Sequence, residues 1–359
     1  MCGLQELNEA TRVASYPLPN MTETLDQFFT TIDMVSGYHQ IEVAPEDPHK
    51  TAFGSPFGLF QYCRLPFGLA GAPGTFQAVI EDMLQVLDAE DVMAYLDDVI
   101  CFHSGFEEHL TGIGRLLQTI RKAGFKLSGK KCQFATRSVK FLGHVIDKDG
   151  IRPQPEKLDI IRGWKVPKDE ADLRHFLGVC TFWRRFVKDF AHIAVPLHDL
   201  LNKSGFLWTP QCDSAFKQLK EILCSSVTLK LPDKQGRFIV SCDASDKAVG
   251  FVLEQSDTSG SRRPVAFDGR KLNNSEFNYS TTEKECLAVI EALKAYRPYL
   301  LGRGFDLFTD HESLKWLLTQ TKEHSGQLWR WVDKFREFQC KVHHIAGNKN
   351  TVADALKCL

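Results

Sequence analysis

The spacing of apolar positions divides the chain before any residue chemistry is considered. Pro45, Pro48, Pro56, Pro66 and Pro73 cut the first hundred residues into short strands and turns. A helix is predicted over Thr75–Leu87, where Phe76, Val79, Ile80, Met83, Leu84 and Leu87 recur at helical spacing. Residues 92–102, VMAYLDDVICF, set apolar β-formers on both sides of Asp97-Asp98, which predicts a hairpin with acids at its tip. Glu107–Ala123 reads as a second amphipathic helix, and Val139–Ile146 as a strand leading into a turn. From 151 to 230 the pattern is helical, over Glu156–Trp164, Glu170–Phe190 and Cys212–Cys224, with prolines between them. From Arg237 it becomes α/β. Strands are expected at 237–242, 248–254, 264–268 and 305–309, and helices at 282–300, 312–319, 327–338 and 350–358. Domain boundaries near 150 and 232 follow.

Composition adds exclusions. A chain of 359 residues with 43% hydrophobic and 25% charged positions has room for two or three packed domains, not bulk disorder. The uncharged stretches are short and carry Gly and Pro, so no membrane span is expected. No secretory leader is visible. Eleven cysteines without a C-x-x-C pair read as reduced intracellular thiols.

The net charge of −1 hides a split. Residues 1–100 hold 15 acids against Arg12, Lys50 and Arg64. Residues 115–140 hold Arg115, Arg121, Lys122, Lys126, Lys130, Lys131, Arg137 and Lys140 and no acid. Such a stretch suits a polyanion track, though on charge alone a solvated helix face is the more ordinary reading.

Asp97 and Asp98 would diverge in mid-strand but can converge at a hairpin tip. Anions forced together in a half-buried place repel unless a cation joins them, and Mg²⁺ takes carboxylate oxygens while keeping positions for phosphate. Asp33, ending the β-like run Phe28–Ile32, is the candidate third carboxylate. The dipeptide alone fits a solvated turn better than a metal site.

The wording around these acids is more specific. FFTTIDMVSGYHQIEV (28–43), LPFGLAGAPGTFQ (65–77), YLDD (95–98), KAGFKLSGKKCQF (122–134) and VKFLGHVI (139–146) resemble, in order, the motifs of reverse transcriptases, with the detail of gypsy-class long-terminal-repeat retrotransposons. SCDAS, STTEKECLAVIEAL, LFTDHESL and NTVADAL resemble the ribonuclease H domain of the same elements.

The resemblance implies an α+β polymerase palm with partial fingers over 1–150, a helical thumb and connection over 151–232, and an α/β ribonuclease H-like domain over 233–359. By position it makes Asp33, Asp97 and Asp98 the polymerase metal ligands. It makes Tyr38 the residue that rejects a 2′-hydroxyl, and it places Phe67, Gly68 and Gln77 along the nucleotide and template floor. Lys130 or Lys131 protonates pyrophosphate in this reading, or else forms a solvated basic pair. Asp243, Glu285, Asp310 and Asp354 become the nuclease quartet, with Glu283 competing with Glu285. Each site is expected to hold two Mg²⁺, with Mn²⁺ as a substitute.

The implied partners are an RNA template, a DNA primer, RNA/DNA hybrid and dNTPs, with no membrane. Other segments of a longer Pol polyprotein are also implied, in an intracellular setting, a cytoplasmic virus-like particle or the nucleus. The opening MCGLQELNEA resembles a shortened end of the fingers, and no protease or integrase motif is present. Two alternatives follow from that shortening: a ribonuclease H alone, and a silent nucleic-acid-binding remnant. Cys340-x-x-His343-His344 has zinc-ligand residue types, but no second Cys/His pair follows and the segment reads as a strand.

Overall fold

The computed structural model describes residues 27–87, 91–202, 205–225, 227–232, 236–256, 260–309 and 327–344, with side chains from 330 onward in the last stretch. The chain divides into two compact units, Met1–Lys148 and Asp149–Leu359.

The first unit contains β1 (Phe28–Asp33), β2 (Phe53–Ser55), β3 (Gly58–Phe60), α1 (Ala72–Leu84), β4 (Val92–Tyr95), β5 (Asp98–His103), α2 (Phe106–Lys122), β6 (Gln133–Thr136), β7 (Ser138–Phe141) and β8 (His144–Asp147). Its main sheet has the order β4-β5-β1-β6. β1 runs antiparallel to β5, from Phe28 opposite His103 to Asp33 opposite Asp98. Ile32, Val99 and Cys101 from the sheet pack with Phe76 and Ile80 of α1 and with Leu116 and Ile120 of α2. Helix α1 starts earlier than its apolar stripe because Pro73 sits in its first turn, where a missing N–H leaves nothing unsatisfied.

The single strand expected over Val139–Ile146 is a hairpin. Phe141 pairs with His144, and Leu142 and Gly143 between them have φ of 47° and 81°. Two positive φ values match the right-handed strand twist, but Leu is not a residue that announces them.

The second unit begins with β9 (Gly150–Pro153), α3 (Pro155–Arg162), α4 (Glu170–Phe182), α5 (Phe190–Ile193), α6 (Val195–Leu201) and α7 (Pro210–Cys224). Gly150 must be glycine: its φ is 130°, and a Cβ there would lie 2.0 Å from the Leu229 carbonyl oxygen. The continuous helix expected over 170–190 breaks after Phe182. Trp183 and Phe186 are buried, Arg184 pairs with Asp268 at 3.1 Å, and Asp189 turns left-handed with φ 61°. Tertiary burial overrides local periodicity here.

The rest is β10 (Phe238–Ala244), β11 (Ala248–Ser256), β12 (Arg262–Lys271), α8 (Thr281–Ala295), α9 (Arg297–Leu300), β13 (Phe305–Thr309), α10 (Gln327–Phe335) and β14 (Cys340–His344). The sheet order is β12-β11-β10-β13-β14, antiparallel through β10 and parallel from β10 to β14. Cys286, Val289 and Leu293 of α8 join Val240, Leu253 and Leu307 of the sheet in one core. The helix expected over 282–300 divides at Tyr296, whose buried hydroxyl reaches the Ala266 and Phe251 carbonyls at 3.0 and 3.2 Å. Pro298 follows at once and cannot donate to a continuing helix. No helix among the described residues is long and apolar enough to cross a membrane.

Candidate active sites

Register brings the first three acids together. Asp33 ends β1 directly opposite Asp98, the first residue of β5. Tyr95 and Asp98 close the β4–β5 hairpin, leaving Leu96 and Asp97 as a two-residue turn. The Met34 N–H donates to the Asp97 carbonyl at 3.3 Å, tying the turn to the end of β1. Leu96 has φ 54°, a left-handed conformation that costs a branched side chain about 1–3 kcal/mol.

The electrostatics record how close the acids are. Burial raises the Asp98 carboxyl above its usual range. The Asp97 and Asp33 charges raise it further, and Lys131 opposes them. Lys131 Nζ lies 3.1 Å from Asp33 Oδ2, whereas Lys130 beside it is exposed. Three oxygen-bearing anions at one strand end are a donor set suited to a hard divalent ion such as Mg²⁺.

The other residues expected here divide into two groups. Tyr38 is half-buried beside the turn; burial, then the Asp97 charge, raises its phenol. Its ring meets Phe67 edge-on at 5.1 Å and Phe76 at 5.3 Å. Phe67 is largely exposed, and Gly68 beside it has φ 90°.

Gln77 does not face solvent. Its Oε1 accepts from the Leu96 N–H at 2.6 Å, and its Nε2 donates to the Ala94 carbonyl at 3.1 Å and to Glu81 Oε1 at 2.8 Å. The structure therefore makes Gln77 the brace of the acidic turn. A polar side chain flanking the apolar stripe of α1 was the available sign. Gly37 was not singled out by the sequence, yet a Cβ there would lie 2.8 Å from Phe76 and 3.3 Å from the Asp97 Cβ.

In the second unit, Asp243 is buried near the end of β10 and Glu285 is buried in the second turn of α8. Burial raises the Cys242 thiol, and the charges of Glu285 and Asp243 raise it further, so both acids lie within electrostatic reach of one side chain. Glu283 is occupied elsewhere. Its carboxylate accepts from the Ser280 N–H at 2.8 Å, while Ser280 Oγ accepts from the Glu283 N–H at 3.3 Å. This capping box satisfies two end groups of the helix and leaves Glu285 to face the sheet.

Asp189 is a further acid the sequence did not indicate. Burial pushes its carboxyl up to about 7, with the Asp243 charge contributing. Asp310 and Asp354 lie outside the described residues, as do the helices expected at 312–319 and 350–358. Strand β13 ends just before 310 and runs parallel to β10, with Phe308 opposite Ser241.

The basic residues from Arg115 to Lys140 are all exposed. At Cys340–His344, His343 bonds Asp306 at 2.7 Å and stacks on Phe308. The Cys and His residues of that strand do not gather into a ligand cluster among the described residues.

Comparison with known proteins matches both units. Residues 4–146 match the family model of reverse transcriptase (RNA-dependent DNA polymerase). Residues 233–338 match that of the RNase H-like domain found in reverse transcriptase. The chain is 40% identical to the retrovirus-related Pol polyprotein from transposon 297 of Drosophila melanogaster, over 98% of this chain and 33% of that protein. It is 34% identical to the transposon Tf2-3 polyprotein of Schizosaccharomyces pombe, over 98% of this chain and 27% of that one. The chain thus spans about a third of the length of the curated relatives it matches.

Among solved structures it is similar to a foamy viral protease-reverse transcriptase in complex with double-stranded DNA, with a TM-score of 0.81 and 21% identity over 96% of this chain and 62% of that one. It is also similar to a foamy viral protease-reverse transcriptase in complex with RNA/DNA hybrid, with a TM-score of 0.79 and 21% identity over 95% and 48%.

Proposed function

We infer that this chain, which carries a reverse-transcriptase domain over residues 4–146 and an RNase H-like domain over residues 233–338, copies RNA into DNA and cleaves the RNA strand of the resulting hybrid. The observation that carries this reading is the convergence of Asp33, Asp97 and Asp98 at one end of β1 and β5. We place it in the gypsy class on the L-P-F-G wording at 65–68.

In this reading Asp33, Asp97 and Asp98 hold divalent ions, Mg²⁺ by their oxygen chemistry. Such ions, when bound, supply Lewis-acid polarisation of phosphate oxygens and activation of a nucleophilic oxygen. Lys131 balances Asp33 until substrate phosphate arrives. Gln77 and Gly37 hold the turn so that Asp97 keeps its position. Tyr38, backed by Phe67 and Phe76, presents a flat wall where a 2′-hydroxyl would sit and so favours dNTPs. The exposed basic residues from Arg115 to Lys140 attract the template and primer backbones.

In the second unit, Asp243 and Glu285 supply two of the nuclease carboxylates, and Asp310 and Asp354 complete the set. The assigned nucleic acids are a primed RNA template and RNA/DNA hybrid, with the rest of a Pol polyprotein as the further partner.

The test uses the full chain. With Mg²⁺ it should extend a DNA primer on RNA using dNTPs and cut the RNA of a hybrid, and a chelator should stop both. Cutting without extension would replace this reading by a ribonuclease H alone. A folded chain that does neither is a nucleic-acid-binding remnant.

A further inference from the structure

A third cluster of ligand-type side chains lies outside both acidic sites. Strand alternation puts Cys101 and His103 of β5 on one face, and the opening turns of α2 lower His109 onto them. His103 Nδ1 lies 3.1 Å from His109 Nδ1 and 3.7 Å from Cys101 Sγ, and the three donor atoms fall within 4.8 Å of one another. A tetrahedral zinc ion with ordinary bond lengths needs nitrogen–nitrogen and nitrogen–sulfur separations of about 3.3 and 3.6 Å. All three residues are buried.

The far side of each ring is also arranged. His109 Nε2 is 2.8 Å from Thr30 Oγ1, which also accepts from the Ala135 N–H at 3.1 Å. His103 Nε2 lies 3.6 Å from the Asp91 carboxylate, an electrostatic approach longer than a hydrogen bond. Zinc-ligating histidines use their second nitrogen for an outer partner that fixes ring orientation and tautomer, as His109 does with Thr30. Gly112 makes the room: a Cβ there would lie 2.1 Å from the His103 ring.

We propose that Cys101, His103 and His109 form a binding site for a zinc-class divalent ion that pins β5 to α2, with a solvent molecule as fourth ligand. Its donors are one sulfur and two nitrogens, unlike the all-oxygen set of Asp33, Asp97 and Asp98. It therefore selects a softer ion than the acidic turn does.

The experiment is a metal titration of the chelator-stripped full chain in excess Mg²⁺, which occupies the carboxylate sites. Zinc alone should bind once per chain with sub-micromolar affinity and raise the melting temperature. His103→Ser should weaken binding about 100-fold and Asp91→Asn about 10-fold, as for outer partners of zinc histidines. Cobalt(II) should give intense tetrahedral bands and a thiolate-to-metal band that disappears in Cys101→Ser.

No zinc uptake at micromolar concentration, undiminished binding by folded His103→Ser, or a thiolate band that persists in Cys101→Ser would each overturn the proposal. If the variants fail to fold, the wild-type cobalt spectrum decides: a spectrum without the thiolate band overturns the site, and one with it supports the site.

Discussion

The two acidic sites are built in opposite ways. In the first unit the carboxylates sit at the rim of a sheet, Asp33 and Asp98 at facing strand ends and Asp97 on a two-residue turn with a left-handed Leu96. One side chain, Gln77, braces that turn from below. In the second unit Asp243 and Glu285 are inside regular elements and buried, held by the packing of α8 on the sheet. A site made of a strained turn depends on a few specific hydrogen bonds. A site made of a strand and a helix is supported by the whole core.

The sharpest test of that independence is a pair of charge removals. Asp97→Asn should lower primer extension by 10³-fold or more, on the order of other losses of transition-state charge stabilisation, and leave hybrid cutting intact. Asp243→Asn should do the reverse. Loss of both activities in either folded variant would break the separation of the two sites.

Next comes the brace. Gln77→Ala removes the partners of the Leu96 N–H and the Ala94 carbonyl, which should cost about 2–3 kcal/mol of stability to chemical denaturation. Extension should fall about 10²-fold, the scale expected for a small displacement of a positioned group, with cutting unchanged. Unchanged extension would show that the turn holds itself.

A smaller effect should follow pH in the second unit. Arg270 bonds Glu276 at 2.7 and 2.9 Å, and those bonds hold the Glu276 carboxyl below its usual range. A depressed acid contributes its full stability above the unfolded value, near 4.3, and loses it as pH falls through the lower folded value. Glu276→Gln should therefore cost about 1–2 kcal/mol at pH 7, a difference that shrinks in acid. A cost that does not change with pH would remove the ionic component. The mildest change is Ser280→Ala, which opens the capping box of α8 and should cost about 1 kcal/mol with cutting largely retained. A large loss of cutting would mean that Glu285 depends on its helix start more than on the core.

The amino-acid sequence by itself determined those features that depend on near neighbours. The Asp97-Asp98 hairpin tip follows from β-formers on either side. The helix expected from 282 begins at Thr281, and β13 falls at the residues its alternation indicates. Motif order alone pointed to Asp33 and Asp243, though not to where their side chains lie.

Only the tertiary structure decided the rest, because those contacts join positions far apart in the chain, where local periodicity carries no signal. The meeting of Asp33 with Asp98 is a matter of strand register. The brace from Gln77 to Leu96 is a matter of how α1 seats on the hairpin. The break at Trp183 reflects burial of its ring and the pairing of Arg184 with Asp268, and the Leu142-Gly143 turn reflects strand twist. Cys101, His103 and His109 look like an ordinary strand and helix start until α2 folds down, where Gly112 leaves space for one more ring.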